Sequence, residues 1–258
     1  MYLWKQWRES RIISGIGLLG LLLLLMLVVK ANLKLDSSHV QGNDTSAFPV
    51  MFIALFYIES VLIAFWAWLA ASIGVGKNLG EDSGSFLFTR PRSRAWFIWN
   101  DWGFGMAQIA LIIVLSNLML GWLLEHIQVL MHISGGVRLT PYGDSIPIPL
   151  LLLLISLGVL LFSSLVFSLT YFSTIVTKRL SGVLLGAGIL IGYVVLSLLI
   201  GHYYPSIKLP SPIPNLFNFS HHSFNGLADH LGLSIAIRTV VVLLFPLAAQ
   251  VILDRSEI

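Results

Sequence analysis

"IPLLLLLISLGVLLFSSLVFSLTYFSTIVT", residues 148–177, and "SGVLLGAGILIGYVVLSLLIG", residues 181–201, contain no charged side chain, and only Lys178 and Arg179 separate them from one long apolar run. A helix needs about twenty mostly apolar residues to cross the hydrocarbon core of a bilayer. Each stretch meets that length, and the junction "KRLSG" at 178–182 is short enough to be a tight turn. The first is long enough to tilt or to extend past the membrane. Together they read as a helical hairpin dissolved in lipid.

Working outward, four more stretches qualify, so that the expected spans are about 12–30, 48–75, 103–124, 148–177, 180–201 and 233–253. Lipid offers no water to the backbone amides, so spanning segments of this kind are helices rather than open sheet. The expectation is a single all-α integral membrane domain over residues 1–258. Composition agrees: hydrophobic residues make up 57% of the chain and charged residues 10%, and the mean hydropathy is +0.88. A soluble domain coats itself with about a quarter charged residues. The net charge of +3 is not pooled on one polar region, which gives no footing for nucleic acid. Cysteine is absent, which excludes disulfides, thiolate catalysis and cysteine metal sites.

The start of the chain resembles a secretory signal in its basic Lys5, Arg8 and Arg11 and its apolar run from Ile12. That run is long, however, and no small-x-small cleavage site follows in "VVKANLKLD". An uncleaved span is the better reading. Six spans put both termini on one side, and Lys and Arg choose it. With the N-terminus inside, Lys5, Arg8, Arg11, Lys77, Arg90, Arg92, Arg94, Lys178, Arg179 and Arg255 are cytoplasmic, and Lys30, Lys34, Arg138, Lys208 and Arg238 are outside. Ten against five favours cytoplasmic termini. "MYLWKQWRESR" places Leu3, Trp4 and Trp7 on one helical face, the pattern of a helix lying along the inner leaflet. Between the fifth and sixth spans, the proline- and aromatic-rich residues 202–232 suggest a short element dipping into the outer interface around Leu216 to Phe219.

Chemical motifs are few. "GIGLLG", with Gly15, Gly17 and Gly20, has dinucleotide-binding spacing, but that motif acts at a strand-to-helix turn and here it sits inside a span. No GxxxxGK[ST] phosphate loop occurs. The outside histidines His202, His221, His222 and His230 could be imagined as zinc ligands, as could His126 and His132 near Glu125. None forms a helical i, i+4 pair with a carboxylate nearby, so no metal and no bound cofactor is expected. Glu59 is the one acidic residue well inside a span, which marks it as a functional candidate. Arg238, a turn or two into the sixth span, is its possible partner. Gly182 and Gly186, then Gly188 and Gly192, have small-xxx-small spacing, a signal for close helix packing. Gly158 and Ser156, Ser163, Ser164 and Ser168 suit the same work on the fourth span.

One cytoplasmic loop stands apart: "EDSGSFLFTRPRSR", residues 81–94. Phe86, Leu87 and Phe88 lie between acidic Glu81 and Asp82 and basic Arg90, Arg92 and Arg94. Acid before and base after suits the dipole of a short helix starting near Ser83 or Gly84, with Pro91 helping to end it. Such a helix is a docking knob for a partner or lies on anionic headgroups of the inner leaflet, and the residues alone favour neither.

The loop resembles the cytoplasmic signature of type-2 ATP-binding-cassette (ABC) exporter permeases, E-x-x-G-T followed by F-L-L-T-R-P-V-S-R. Glu81 and Gly84 match the first part, with Ser85 at the Thr position. Phe86, Leu87, Thr89, Arg90, Pro91, Ser93 and Arg94 match the second. The spacing between the parts is shorter, Arg92 replaces an apolar residue, and the downstream Lys is missing from "WFIWNDW". "LWKQWRESR" is similar to the family's N-terminal pattern. The resemblance implies six spans, an N-terminal interfacial elbow helix, a partly re-entrant outside segment between spans five and six, and a coupling helix at the loop between spans two and three. It implies a multi-pass permease of the bacterial cytoplasmic (inner) membrane, in contact with membrane lipid. A second permease chain, identical or homologous, completes the pathway, and two copies of a cytoplasmic ABC ATPase subunit bind the ATP and Mg. Glu81, Gly84, Phe86, Leu87, Phe88, Arg90, Pro91, Ser93 and Arg94 are then the partner-coupling residues, and no residue of this chain is catalytic. The rival expectations are a membrane-embedded enzyme built on Glu59 or the outside histidines, and a non-transporting scaffold or immunity protein.

Overall fold

The computed structural model describes residues 11, 15–17, 19–20, 23, 47–72, 93–131, 148–178, 181–203 and 224–255. These residues are helical apart from a few at turns and helix ends, with no strand among them. Five long helices carry the fold: α1 (Ala47–Ala71), α2 (Arg94–Met131), α3 (Ile148–Thr177), α4 (Ser181–Tyr203) and α5 (Phe224–Arg255). The fragments of the expected span 12–30 that are described are helical as well.

α3 sits at the centre and packs against all four of the others. Its second half, "LFSSLVFSLTYFSTIVT", explains why. Ser163, Ser164, Ser168, Thr170, Ser173 and Thr174 are all buried, and small hydroxyl residues let helix backbones approach closely in lipid. Their polarity is answered locally. Ser173 Oγ donates to the Leu169 carbonyl (2.8 Å), Thr174 Oγ1 to Tyr171 (2.7 Å) and Thr177 Oγ1 to Ser173 (3.0 Å), the back-bonding open to hydroxyls inside a helix.

The α3–α4 hairpin turns at Lys178, whose φ of 50° places it in the left-handed conformation that commonly ends helices. Its amide donates to the Ile175 carbonyl (3.3 Å). The two glycine pairs then part company. A Cβ on Gly182 would lie 2.5 Å from Ser173 O and from Thr174 Cα, and one on Gly186 would lie 2.9 Å from Thr170 Cα. These are backbone collisions, so α4 reaches α3 only because both positions are glycine. Gly188 and Gly192 face open space. The close-packing expectation therefore holds for the first pair, within the chain, and not for the second.

One contiguous core joins Ile63, Trp66, Ala67 and Ala71 of α1 to Ile98, Ile109, Ile112 and Ile113 of α2, to Val159, Phe167, Tyr171 and Ile175 of α3, and to Ala249 and Leu253 of α5. A smaller cluster of Ala64, Phe162 and Val166 packs with Trp68 and Leu190. Leu111, Leu118, Leu184, Ile191, Val240 and Leu244 are exposed and apolar, as a lipid-facing surface requires.

Over the described residues three stretches are long and apolar enough to cross a membrane, 94–119, 156–177 and 235–255, and two shorter apolar helices cover 58–71 and 181–196. The all-helical class is as expected, and the described residues contain three such stretches. α3 has the bounds expected of the fourth span. α2 instead begins at residue 94, nine before the expected 103, and α5 at 224, nine before 233. For α2 the reason is packing. Arg94, Asn100 and Asp101 lower the hydropathy of "RAWFIWNDW", but Phe97, Ile98 and Asp101 are buried, so tertiary contacts extend the helix past its apolar part.

Candidate functional site: the polar contacts between the helices

Of the expected coupling residues, Glu81, Gly84, Phe86, Leu87, Phe88, Arg90 and Pro91 lie outside the described residues, as do the N-terminal segment 1–10 and Leu216 to Phe219. Ser93 and Arg94 are described, and they start α2. Ser93 is its N-cap: the Trp96 amide donates to Ser93 Oγ (3.2 Å) and to the Ser93 carbonyl (3.0 Å). A serine hydroxyl at this position satisfies one of the amides that a helix start leaves without an intrahelical partner.

Arg94 is half-buried, and its guanidinium Nη1 donates to the Leu253 carbonyl at 2.5 Å. Leu253 is two residues from the end of α5, so its carbonyl is among the last four, which have no intrahelical donor. A cation is unfavourable at a helix N-terminus and favourable at a C-terminus. Arg94 begins one helix and bonds the end of another, which gives its charge the better environment. Five residues on, Trp99 Nε1 donates to Gln250 Oε1 (3.0 Å). Trp102 Nε1 donates to Ser168 Oγ on α3 (2.9 Å), and Tyr171 Oη donates to the Ile98 carbonyl (3.3 Å). Trp68 Nε1 donates to the Val183 carbonyl at the start of α4 (2.9 Å). These contacts gather the start of α2, the ends of α1, α3 and α5 and the start of α4 at one end of the bundle. Arg94, Lys178 and Arg255 therefore share that end.

Glu59 is fully buried on α1, and Ser116 of α2 donates to its Oε1 at 2.6 Å. Its other oxygen, Oε2, is buried and accepts no hydrogen bond in the structure. Arg238, the partner suggested by sequence, lies beside Tyr193 of α4. The structure thus brings Glu59 to Ser116 rather than to Arg238. Asn100 Nδ2, Asn117 Oδ1 and Ser163 Oγ are further buried polar atoms without a partner. Asn117 does use its amide nitrogen, which donates to Ile113 O (2.7 Å). His126, His202 and His230 fall on α2, α4 and α5, whereas His132, His221 and His222 lie outside the described residues. Among the described residues no group of three or more His, Cys, Asp or Glu is placed to hold a metal ion.

Sequence reasoning missed the partners of the tryptophans. The signal was present in "RAWFIWNDW": an indole N–H in a dry bundle needs an acceptor, and Gln250 of α5 and Ser168 of α3 supply it. Compared with family models, with curated proteins and with solved structures, the chain matches none.

Proposed function

We propose that this chain is the membrane subunit of a type-2 ABC exporter. The proposal comprises six spans, an N-terminal interfacial elbow helix, a coupling helix between spans two and three, and a partly re-entrant outside segment between spans five and six. Two such chains, identical or homologous, form the translocation pathway in a bacterial cytoplasmic membrane, with their termini cytoplasmic. The chain binds no ATP itself. Each chain couples to one of two cytoplasmic ATPase subunits, which bind ATP and Mg, and dimerisation of those subunits pushes on the loop at 81–94.

The observation that carries this reading is the pattern Glu81-x-x-Gly84 followed by "FLFTRPRSR", in a chain whose described residues form an apolar helical bundle. Phe86, Leu87 and Phe88 supply an apolar anchor of the kind that dominates protein interfaces. Glu81, Arg90 and Arg94 flank it with charge, and Arg94 already has a partner in Leu253 O. Of the residues that match the signature, that leaves Glu81 and Arg90 as the charges offered to the ATPase.

The test is purification of the full chain from its native membrane, with identification of an ABC-type ATPase bound to it. Retention of that subunit and its loss on Phe88→Asp are the expected results. A Phe88→Asp chain that keeps its ATPase, or a chain that purifies without one in every detergent and lipid tried, overturns the proposal.

A further inference from the structure

The start of α2 and the end of α5 are fastened twice. Arg94 Nη1 holds Leu253 O, and Trp99 Nε1 holds Gln250 Oε1 (3.0 Å). The fastenings are five residues apart on α2 and three apart on α5, so they cover about 5–8 Å along the helix axes. Residue numbers rise along one helix as they fall along the other, so the two run antiparallel. Beside the fastenings lies apolar packing: Ile98 of α2 and Ala249 and Leu253 of α5 are completely buried in the same core cluster. Two polar ties and a shared core make these ends one piece. Further from this end α5 packs against α3, with Phe245 beside Phe172 (ring centroids 5.8 Å), while Ile237, Val240, Leu244 and Leu247 are exposed.

We propose that Arg94 is a positioning residue that clamps the first turns of α2 to the last turns of α5, so that displacement of the chain entering α2 at Ser93 is delivered to both helices as one body. The inference rests on the proposed function only for the source of the force, an ATPase acting on the preceding loop. The clamp itself is a property of the fold. A push delivered to α2 alone would tilt one helix against the centre of the bundle. A push delivered to the clamped pair carries α5, which holds Arg238 further along its length.

The experiment uses the full chain in lipid nanodiscs. Because the sequence contains no cysteine, nitroxide labels on Ala95→Cys and Asp254→Cys report one distance without background. A second pair, Trp96→Cys and Val176→Cys, reports on α2 against α3 as a control. The expected result is a narrow distance distribution for the 95/254 pair. Arg94→Gln should broaden it about twofold, on the scale of local opening, while the control pair is unchanged. Arg94→Lys, which still offers a cation to the carbonyl, should restore it. If Arg94→Gln fails to fold, Trp99→Phe combined with Gln250→Ala takes its place with the same expected broadening. A distribution already broad in the unaltered chain, one unmoved by these substitutions, or broadening of both pairs alike overturns the clamp. A narrow, Arg94-dependent distance in a chain that binds no ATPase leaves the clamp standing and removes the transporter reading. An ATPase complex with an Arg94-independent distance does the reverse.

Discussion

Replacing Ser116 by Ala removes one hydroxyl, and the structure assigns that hydroxyl an unusual burden. It donates the hydrogen bond that Glu59 receives, at 2.6 Å, from inside the bundle. Glu59 and Ser116 are 1% and 3% exposed, so water cannot take over, and Oε2 already lacks a partner. A buried polar group stripped of its hydrogen bond costs about 1–3 kcal/mol, whereas hydrogen bonds between membrane helices average only about 0.6 kcal/mol and reach about 1.7. The second range averages over sites whose groups find substitutes, and here none is at hand. Ser116→Ala should therefore destabilise by about 1–2 kcal/mol, roughly a factor of 5–30 in the folded-to-unfolded ratio. Glu59→Met keeps the volume and removes both oxygens, so it should be close to neutral or stabilising. In that background the Ser116 hydroxyl can turn to its own helix one turn back, and its deletion should cost less than about 0.5 kcal/mol. The measurement is reversible unfolding of the four chains of the double-mutant cycle in mixed micelles, titrated with denaturing detergent. A coupling of about 1 kcal/mol exceeds the 0.3–0.5 kcal/mol over which independent sites add. Additive losses within that margin would refute the assignment of Ser116 as the support of Glu59.

Two further substitutions test the packing. Gly182→Val and Gly186→Val should each lower the thermal midpoint in detergent by disrupting the α3–α4 hairpin, since their Cβ atoms would meet backbone, while Gly188→Val and Gly192→Val should leave it nearly unchanged. Equal effects at the two pairs would contradict the assigned faces of α4. Gly105→Ala drives a Cβ into the Phe167 ring, which is buried and stacks on Tyr171 with centroids 5.9 Å apart. The overpacking should cost about 1–3 kcal/mol, largely relieved by a second substitution, Phe167→Leu. A Gly105→Ala chain as stable as the original would show that the α2–α3 contact is slack.

Sequence alone made the helical class and the bounds of α3 legible because 148–177 is apolar without interruption. It misplaced the start of α2 because hydropathy charges Arg94, Asn100 and Asp101 with the cost of entering lipid. Within the bundle Asp101 is buried among other helices and Arg94 bonds a carbonyl, so those costs do not arise in that form. Glu59 was visible as a buried carboxylate in waiting, but its partner was not. A search for an opposite charge leads to Arg238, whereas the helix that α1 meets at that depth supplies Ser116. Ser116 is one hydroxyl in "LIIVLSNLML" and is conspicuous only once α1 and α2 are placed side by side. Helical spacing alone likewise treats Gly182 and Gly188 alike. Only the turn at Lys178 sets which of them faces α3.

These misses share a cause that bears on how the bundle is specified. In water, burying apolar surface drives helices together. In lipid, a leucine against a leucine gains little over a leucine against an acyl chain, so apolar residues make a helix soluble in the membrane without fixing its rotation or depth. Rotation and depth must come from contacts that are directional or sterically exclusive. The structure supplies them as Trp68 to Val183, Trp99 to Gln250, Trp102 to Ser168, Ser116 to Glu59 and the glycine approach of α4 to α3. Four of these five join residues more than fifty positions apart in the chain, so no local reading can pair them. The three indole contacts cluster at the bundle end where Arg94, Lys178 and Arg255 lie. Among the described residues, register is therefore set most firmly at that end, where a mechanical input to Ser93 would need a rigid base to act against.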